Sequence, residues 1–246
     1  MDTPLAQRRV QRVRHELKRR SLQVLRVQAL SPHLRSITFG GDALADFVSA
    51  SFDDHLKLML DNGDGTLVMR DYTPRHFDAA RRELTIEFVL HGDGPAAGWA
   101  AQAQPGQTVL IGGPRGSFVI APDHDWHLLA GDETALPAIA RRLEELPASA
   151  QAIVLLQVAD PADRRALPSA AQVQLQWLAD GPALLAAARA LHLPAGEGYA
   201  WCAGEARLMA QLRAVLVDEK GHSPQAIRAA AYWKAGAAGH HENLGD

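Results

Sequence analysis

Arg70-Asp71-Tyr72-Thr73-Pro74-Arg75 is the segment of this sequence best equipped for chemistry. An arginine presents a rigid fork of donors that suits a pyrophosphate. A tyrosine can stack on a flat ring and still keep its hydroxyl on a polar partner. A threonine can offer its hydroxyl or backbone N–H to a ring nitrogen. Strand alternation puts Arg70, Tyr72 and Pro74 on one face and Thr73 on the other. Taken alone, the segment reads equally well as a surface strand.

Three glycine-bearing segments accompany it. His91-Gly92-Asp93-Gly94-Pro95-Ala96-Ala97 joins a strand to a helix. Glycine lets the backbone approach a phosphate there, and the helix start presents free N–H groups. Gly113-Pro114-Arg115-Gly116-Ser117 is a tight turn, as consistent with a plain β-turn as with a ligand loop. Gly131-Asp132-Glu133-Thr134 follows the first strand of the second half, where dinucleotides bind in parallel sheets. It lacks G-x-G-x-x-G and carries two carboxylates where phosphates would arrive, so a capped helix fits equally well.

Two kinds of element must hold these segments. Residues 22–29, 34–39, 55–60, 66–73, 83–90, 108–111 and 118–120 read as short strands with turn residues between them, Asn62-Gly63-Asp64-Gly65 being a hairpin turn. One short helix, 95–103, interrupts them. The pattern predicts a closed antiparallel barrel. From His127 the period changes. Strands at 127–130, 153–158, 173–177, 199–203 and 227–232 are interleaved with helices after Thr134, at 182–191 and after Glu205, which predicts a doubly wound parallel sheet. The expected organisation is a basic lead-in over 1–20, a barrel over 21–122 and an α/β domain over 123–246.

Composition narrows the chemistry. The 246 residues are 47% hydrophobic and 22% charged, ordinary for a globular chain. A net charge of -3 excludes a polyanion binder overall. The basic stretch from Arg8 to Arg20 has no interleaved aromatics for base stacking, so a solvated, partly ordered lead-in is expected and no nucleic-acid partner. The single cysteine, Cys202, excludes an internal disulfide and thiolate metal sites. No metal site is expected among the eleven histidines, and His240-His241 reads as a solvated tail. Redox work would need an organic cofactor. With neither a signal-like run nor about 20 consecutive apolar residues, the expectation is a cytoplasmic protein without a membrane partner.

In this order and spacing the segments resemble the siderophore-interacting proteins, FAD-containing ferric-siderophore reductases of the ferredoxin-reductase-like superfamily. The likeness runs from about Leu22 to His241. Its carriers include Asp54 to Leu58, Arg70 to Arg75, Phe88 to Trp99, Gly113 to Phe118, Trp126 to Pro137, Trp201 to Glu205, Tyr232-Trp233-Lys234 and His240 to Glu242.

The resemblance implies FAD held by Arg70, Tyr72 and Thr73, which match the superfamily's Arg-x-Tyr-Thr/Ser motif. His91, Gly94, Pro95, Ala96 and Ala97 would meet its phosphates or adenine, and Gly113 and Ser117 would assist. Ala96 and Ala97 replace a common Ser or Thr, so that contact would come from backbone N–H. The flavin performs the chemistry, and no side chain is assigned as catalytic. Asp132, Glu133, Thr134, Gly204 and Glu205 would form the donor side, departing from the usual Gly-Thr-Gly loop.

The donor implied is NAD(P)H or ferredoxin. Arg164 and Arg165 suit a 2′-phosphate, and Asp160 suits a 2′-hydroxyl. The substrate implied is a ferric siderophore, often anionic, received by Lys57, Arg75, Trp233 and Lys234. The alternatives are another NAD(P)H-dependent flavin or ferredoxin-type oxidoreductase, or a non-catalytic siderophore-binding protein.

Overall fold

A computed structural model describes residues 9–61, 65–90, 94–237 and 242–244. The first half is a seven-stranded antiparallel sheet in the order β5-β4-β8-β2-β3-β7-β6. Its strands are β2 (Arg19–Ser31), β3 (Leu34–Gly40), β4 (Leu56–Asp61), β5 (Leu67–Tyr72), β6 (His76–Asp78), β7 (Glu83–Val89) and β8 (Thr108–Gly112). Alternation in β7 sends Leu84, Ile86 and Phe88 into the core, each fully buried. Among the described residues, no ladder joins β5 to β6 or β7. The sheet rolls until the Tyr72 ring, at the end of β5, meets Phe88 of β7 with centroids 4.5 Å apart. Side-chain packing therefore brings the two edges of the barrel together.

The described part of the basic lead-in, from Arg9, is ordered. Val10–Arg14 forms β1, antiparallel to β9 (Gly116–Ile120), with Arg12 opposite Phe118. Arg20 is buried, and its guanidinium donates to the Ala43 carbonyl at 2.9 Å and to Asp46 at 3.0 Å. Arg20 is structural, which a charge pattern alone does not reveal, while Arg12 stays exposed on β1.

The second half is a sheet in the order β12-β11-β10-β13-β14-β15, parallel except for β15. It comprises β10 (Trp126–Gly131), β11 (Gln151–Gln157), β12 (Gln172–Leu178), β13 (Gly198–Glu205), β14 (Ile227–Trp233) and the short β15 (Glu242–Leu244). Every residue of β10 is buried, as a central parallel strand covered on both faces requires. One face receives α3 (Gly181–Ala190) and α4 (Ala206–Ala214), whose Leu184, Ala188, Met209 and Leu212 pack on Leu128, Ala130 and Cys202. The other receives α2 (Leu136–Glu145). That second core continues into the barrel through Leu34, Phe52 and Ile120. The two halves therefore share one apolar layer.

Polar clamps fix their alignment. The Trp201 indole N–H donates to Asp53 at 2.8 Å, and Arg228 pairs with the other oxygen of the same carboxylate while lying 4.3 Å from the Phe118 ring centre. Arg141 donates to the Pro74 carbonyl and to the Ser49 hydroxyl, each at 2.8 Å. Among the described residues, no helix is long and apolar enough to cross a membrane.

Candidate functional site

The carboxyl ends of β10 and β14 abut the β5 edge of the barrel, and a cleft of about 390 Å³ opens between them. Its barrel wall is Met69, Arg70, Asp71, Tyr72 and Thr73, with Glu87 and Val89 of β7. Its floor is the start of α1 (Pro95–Gln102), through Gly94, Ala96 and Ala97. Its far wall comes from the parallel sheet: Thr134, Pro137, Tyr232, Trp233 and Lys234. A second cleft of about 450 Å³ adjoins it, sharing His55, Lys57, Met69 and Asp71 and reaching Arg19, Gly113 and Arg115. Each volume lies in the range of small-molecule sites.

Arg70 is half-buried at the wall, and one of its guanidinium N–H groups donates to the neighbouring Met69 carbonyl at 2.8 Å. Burial raises the Tyr72 hydroxyl well above its ordinary pKa, so the ring acts as a neutral packing surface. Thr73 is buried at the strand end, and Tyr232 of β14 lines the opposite wall of the cleft. Gly94 caps α1 without a side-chain partner, and a Cβ there would meet nothing within 4 Å. Pro95 has no N–H, so the backbone donors at this helix start belong to Ala96 and Ala97.

The structure thus brings together Arg70, Tyr72, Thr73, Gly94, Ala96, Ala97, Thr134, Trp233, Lys234 and Lys57. Lys57 arrives already paired, its ammonium donating to Asp71 at 2.9 Å. His91 lies outside the described residues, as do His240 and His241. Gly113 borders the adjoining cleft only.

Several of the expected site residues have partners within the protein. Ser117 is buried away from the cleft; its hydroxyl donates to Asp54 at 2.8 Å and accepts from the Ala50 N–H. Arg75 turns to the seam between the halves, donating to Glu144 at 2.7 Å and lying 3.3 Å from Glu87. It is not available to an anionic substrate. Asp132 is buried and bonded within the protein, as an N-cap accepting from the Thr134 N–H at 2.9 Å. Glu133 accepts from the Ala159 N–H, and Glu205 caps α4 by accepting from the Leu208 N–H at 2.9 Å. Gly204 borders the Asp132 carboxylate, which a Cβ would approach to 2.5 Å. On the donor side, Arg165 pairs with Glu87 and Asp160 caps a short turn, while Arg164 stays exposed. Sequence reasoning missed Met69, Glu87, Val89 and Pro137 as cleft walls. Nothing in their residue types marked them; only the meeting of the two halves does.

An antiparallel barrel joined to a parallel sheet, with an arginine, a packed tyrosine and a helix start facing the cleft between them, is the architecture of a dinucleotide-binding protein. The siderophore-interacting protein family matches residues 124–236, and the siderophore-interacting FAD-binding domain matches 23–68 and 61–118. The NADPH-dependent ferric-chelate reductase of Escherichia coli is 38% identical, over 92% of this chain and 96% of its own length. The ferric vibriobactin reductase ViuB of Vibrio cholerae is 32% identical, over 88% of this chain and 90% of its own. The crystal structure of a siderophore utilization protein from T. fusca superposes with a TM-score of 0.86 at 33% identity, covering 94% of this chain and 98% of that one. The chain belongs to the siderophore-interacting protein family.

FAD fits the residues present. The open approach at Gly94, the Ala96 and Ala97 backbone donors and the Arg70 guanidinium suit a pyrophosphate, and the Tyr72 ring offers a flat apolar surface.

Proposed function

We propose that this chain is an FAD-dependent ferric-siderophore reductase that draws on NAD(P)H. The observation that carries the reading is the joint placement of Arg70, Tyr72 and the α1 start opposite Trp233 and Lys234 in one cleft. Arg70 and the α1 backbone would hold the pyrophosphate of FAD, and Tyr72 would pack against its ring system. Bound there, FAD supplies hydride acceptance from a nicotinamide and single-electron release to Fe(III).

The chain's own residues do the rest. Arg141 of α2 ties the parallel half to the barrel wall through the Ser49 hydroxyl and the Pro74 carbonyl, next to Thr73. Lys57 and Lys234 border the cleft and attract an anionic ferric chelate. Iron reaches the protein as substrate and needs no side-chain ligand. Once reduced, Fe(II) is held poorly by hard oxygen chelators and leaves them. We propose the division into barrel and α/β halves near residue 122 as the functional one, with a cytoplasmic site of action.

The test begins with a spectrum. Purified protein should be yellow, with absorption near ~450 nm from bound flavin. The photoreduced protein should be reoxidised anaerobically by a ferric chelate, with Fe(II) trapped by a chromogenic chelator. A colourless protein that takes up no FAD would end the proposal.

A further inference from the structure

The turn after β10 sits at the switch point of the sheet, where β10 neighbours both β11 and β13. In such sheets the backbone N–H groups at this point receive the phosphates of a dinucleotide. Here two of them converge on a carboxylate of the protein itself. The Thr134 N–H donates to Oδ1 of Asp132 at 2.9 Å, and the Glu205 N–H donates to Oδ2 at 2.8 Å. One donor comes from each side of the switch point. The Thr134 hydroxyl and the Trp233 indole N–H, the latter at 2.8 Å, complete the shell. Asp132 is 1% exposed.

The seat is closely walled. A Cβ on Gly131 would lie 2.2 Å from the Ala203 carbonyl oxygen, so β10 and β13 already touch through their backbones. Gly204, with φ at +152°, passes directly against the Asp132 carboxylate. The neighbouring Glu133 adds a second negative charge beside the same turn.

We infer that Asp132 is an internal anion filling the dinucleotide phosphate seat, so that the nicotinamide donor is recognised by its ring end and not by its pyrophosphate. This rests on the proposed reductase activity for the identity of the donor, but the occupied seat stands on geometry alone. The same carboxylate holds Trp233 at the cleft, which makes the indole the surface a dihydronicotinamide would meet.

The experiment compares donors and binding. Flavin reduction is followed anaerobically with NADPH and with reduced nicotinamide mononucleotide, which lacks the adenylate half. NADP⁺ binding to the oxidised holoprotein is measured by calorimetry, for wild type, Asp132→Ala and the size-conserving Asp132→Asn. The expected result is that the two donors reduce wild type with second-order rate constants within about tenfold of each other, a difference of about 1.4 kcal/mol. Asp132→Ala, which removes both the charge and the side chain filling the seat, should tighten NADP⁺ binding by about tenfold, and Asp132→Asn, which removes only the charge, should tighten it by less. A wild type that prefers NADPH by more than that margin, or variants that bind NADP⁺ no more tightly, would overturn the inference. The calorimetry reads the occupied seat whether or not iron is reduced, and reoxidation of photoreduced protein by a ferric chelate reads the reductase proposal separately.

Discussion

Arg70 and Arg75 stand five positions apart in one motif, and the structure gives them opposite work. Arg70 is half-buried at the cleft wall, and its one described bond is to its own neighbour, Met69. Arg75 has 12% of its side chain exposed and is held between Glu144 and Glu87, the latter only 6% exposed. Burial disfavours the Arg75 charge, but Glu144 and Glu87 outweigh it and raise its pKa.

Arg70→Ala should therefore cost ligand affinity. A charge-assisted bond to a phosphate is worth about 1.5–3 kcal/mol, which weakens FAD binding about ten- to a hundredfold. The flavin-free protein should lose no more than about 0.5 kcal/mol of stability, because the lost group is near the surface and bonded to nothing distant. Arg75→Ala should do the reverse. Removing one member of a buried ion pair costs about 3 kcal/mol, a fall of about 6–12 °C in Tm for a chain of this length. FAD affinity should fall far less than in Arg70→Ala, because Arg75 itself does not line the cleft and only its partner Glu87 does. Fluorescence titration of apoprotein with FAD, paired with thermal unfolding of the flavin-free forms, separates the two. Equal FAD affinity in Arg70→Ala and wild type, or the same profile in both variants, would refute the assignment.

Gly131→Ala should destabilise the fold by about 1–3 kcal/mol in urea unfolding, because the new Cβ would meet the Ala203 carbonyl and the Ala135 methyl at 2.2 and 2.6 Å. His127 is 2% exposed, and its pKa is lowered to about 4, first by burial and then by the Arg142 charge. Below pH 6.5 the unfolded chain binds a proton there that the folded chain refuses until about pH 4, so stability falls as pH drops through that window. The loss should reach about 2 kcal/mol between pH 7 and pH 5 in apoprotein urea titrations, and His127→Gln should flatten it. Lys57→Ala with Lys234→Ala should raise KM for an anionic ferric chelate about five- to tenfold at low ionic strength and leave FAD content unchanged, with the effect fading near 1 M salt. Unchanged steady-state kinetics at low salt would remove both lysines from the substrate path.

Local pattern was enough for the two-part architecture. Alternating Leu84, Ile86 and Phe88 can only be a strand with one buried face, and the fully apolar 153–156 run suits a strand covered on both. The Arg70-Tyr72-Thr73 order, the glycine before α1 and the proline that opens it likewise carry their geometry locally, because strand alternation and helix starts are short-range properties.

What tertiary structure alone decided is which polar groups are already spoken for. Asp53 meets Trp201 and Arg228 across 148 and 175 residues, Arg75 finds Glu144 69 residues away, and Asp132 binds Trp233 from 101. A carboxylate or guanidinium looks the same in sequence whether it awaits a ligand or is saturated by its own chain. The difference is set by the docking of one half on the other, since a buried charge must find its partners wherever the fold brings them. That is why the segments lining the cleft stand out in the residues, whereas the partners of the acidic turn after β10 are set by β13 and β14 beside it.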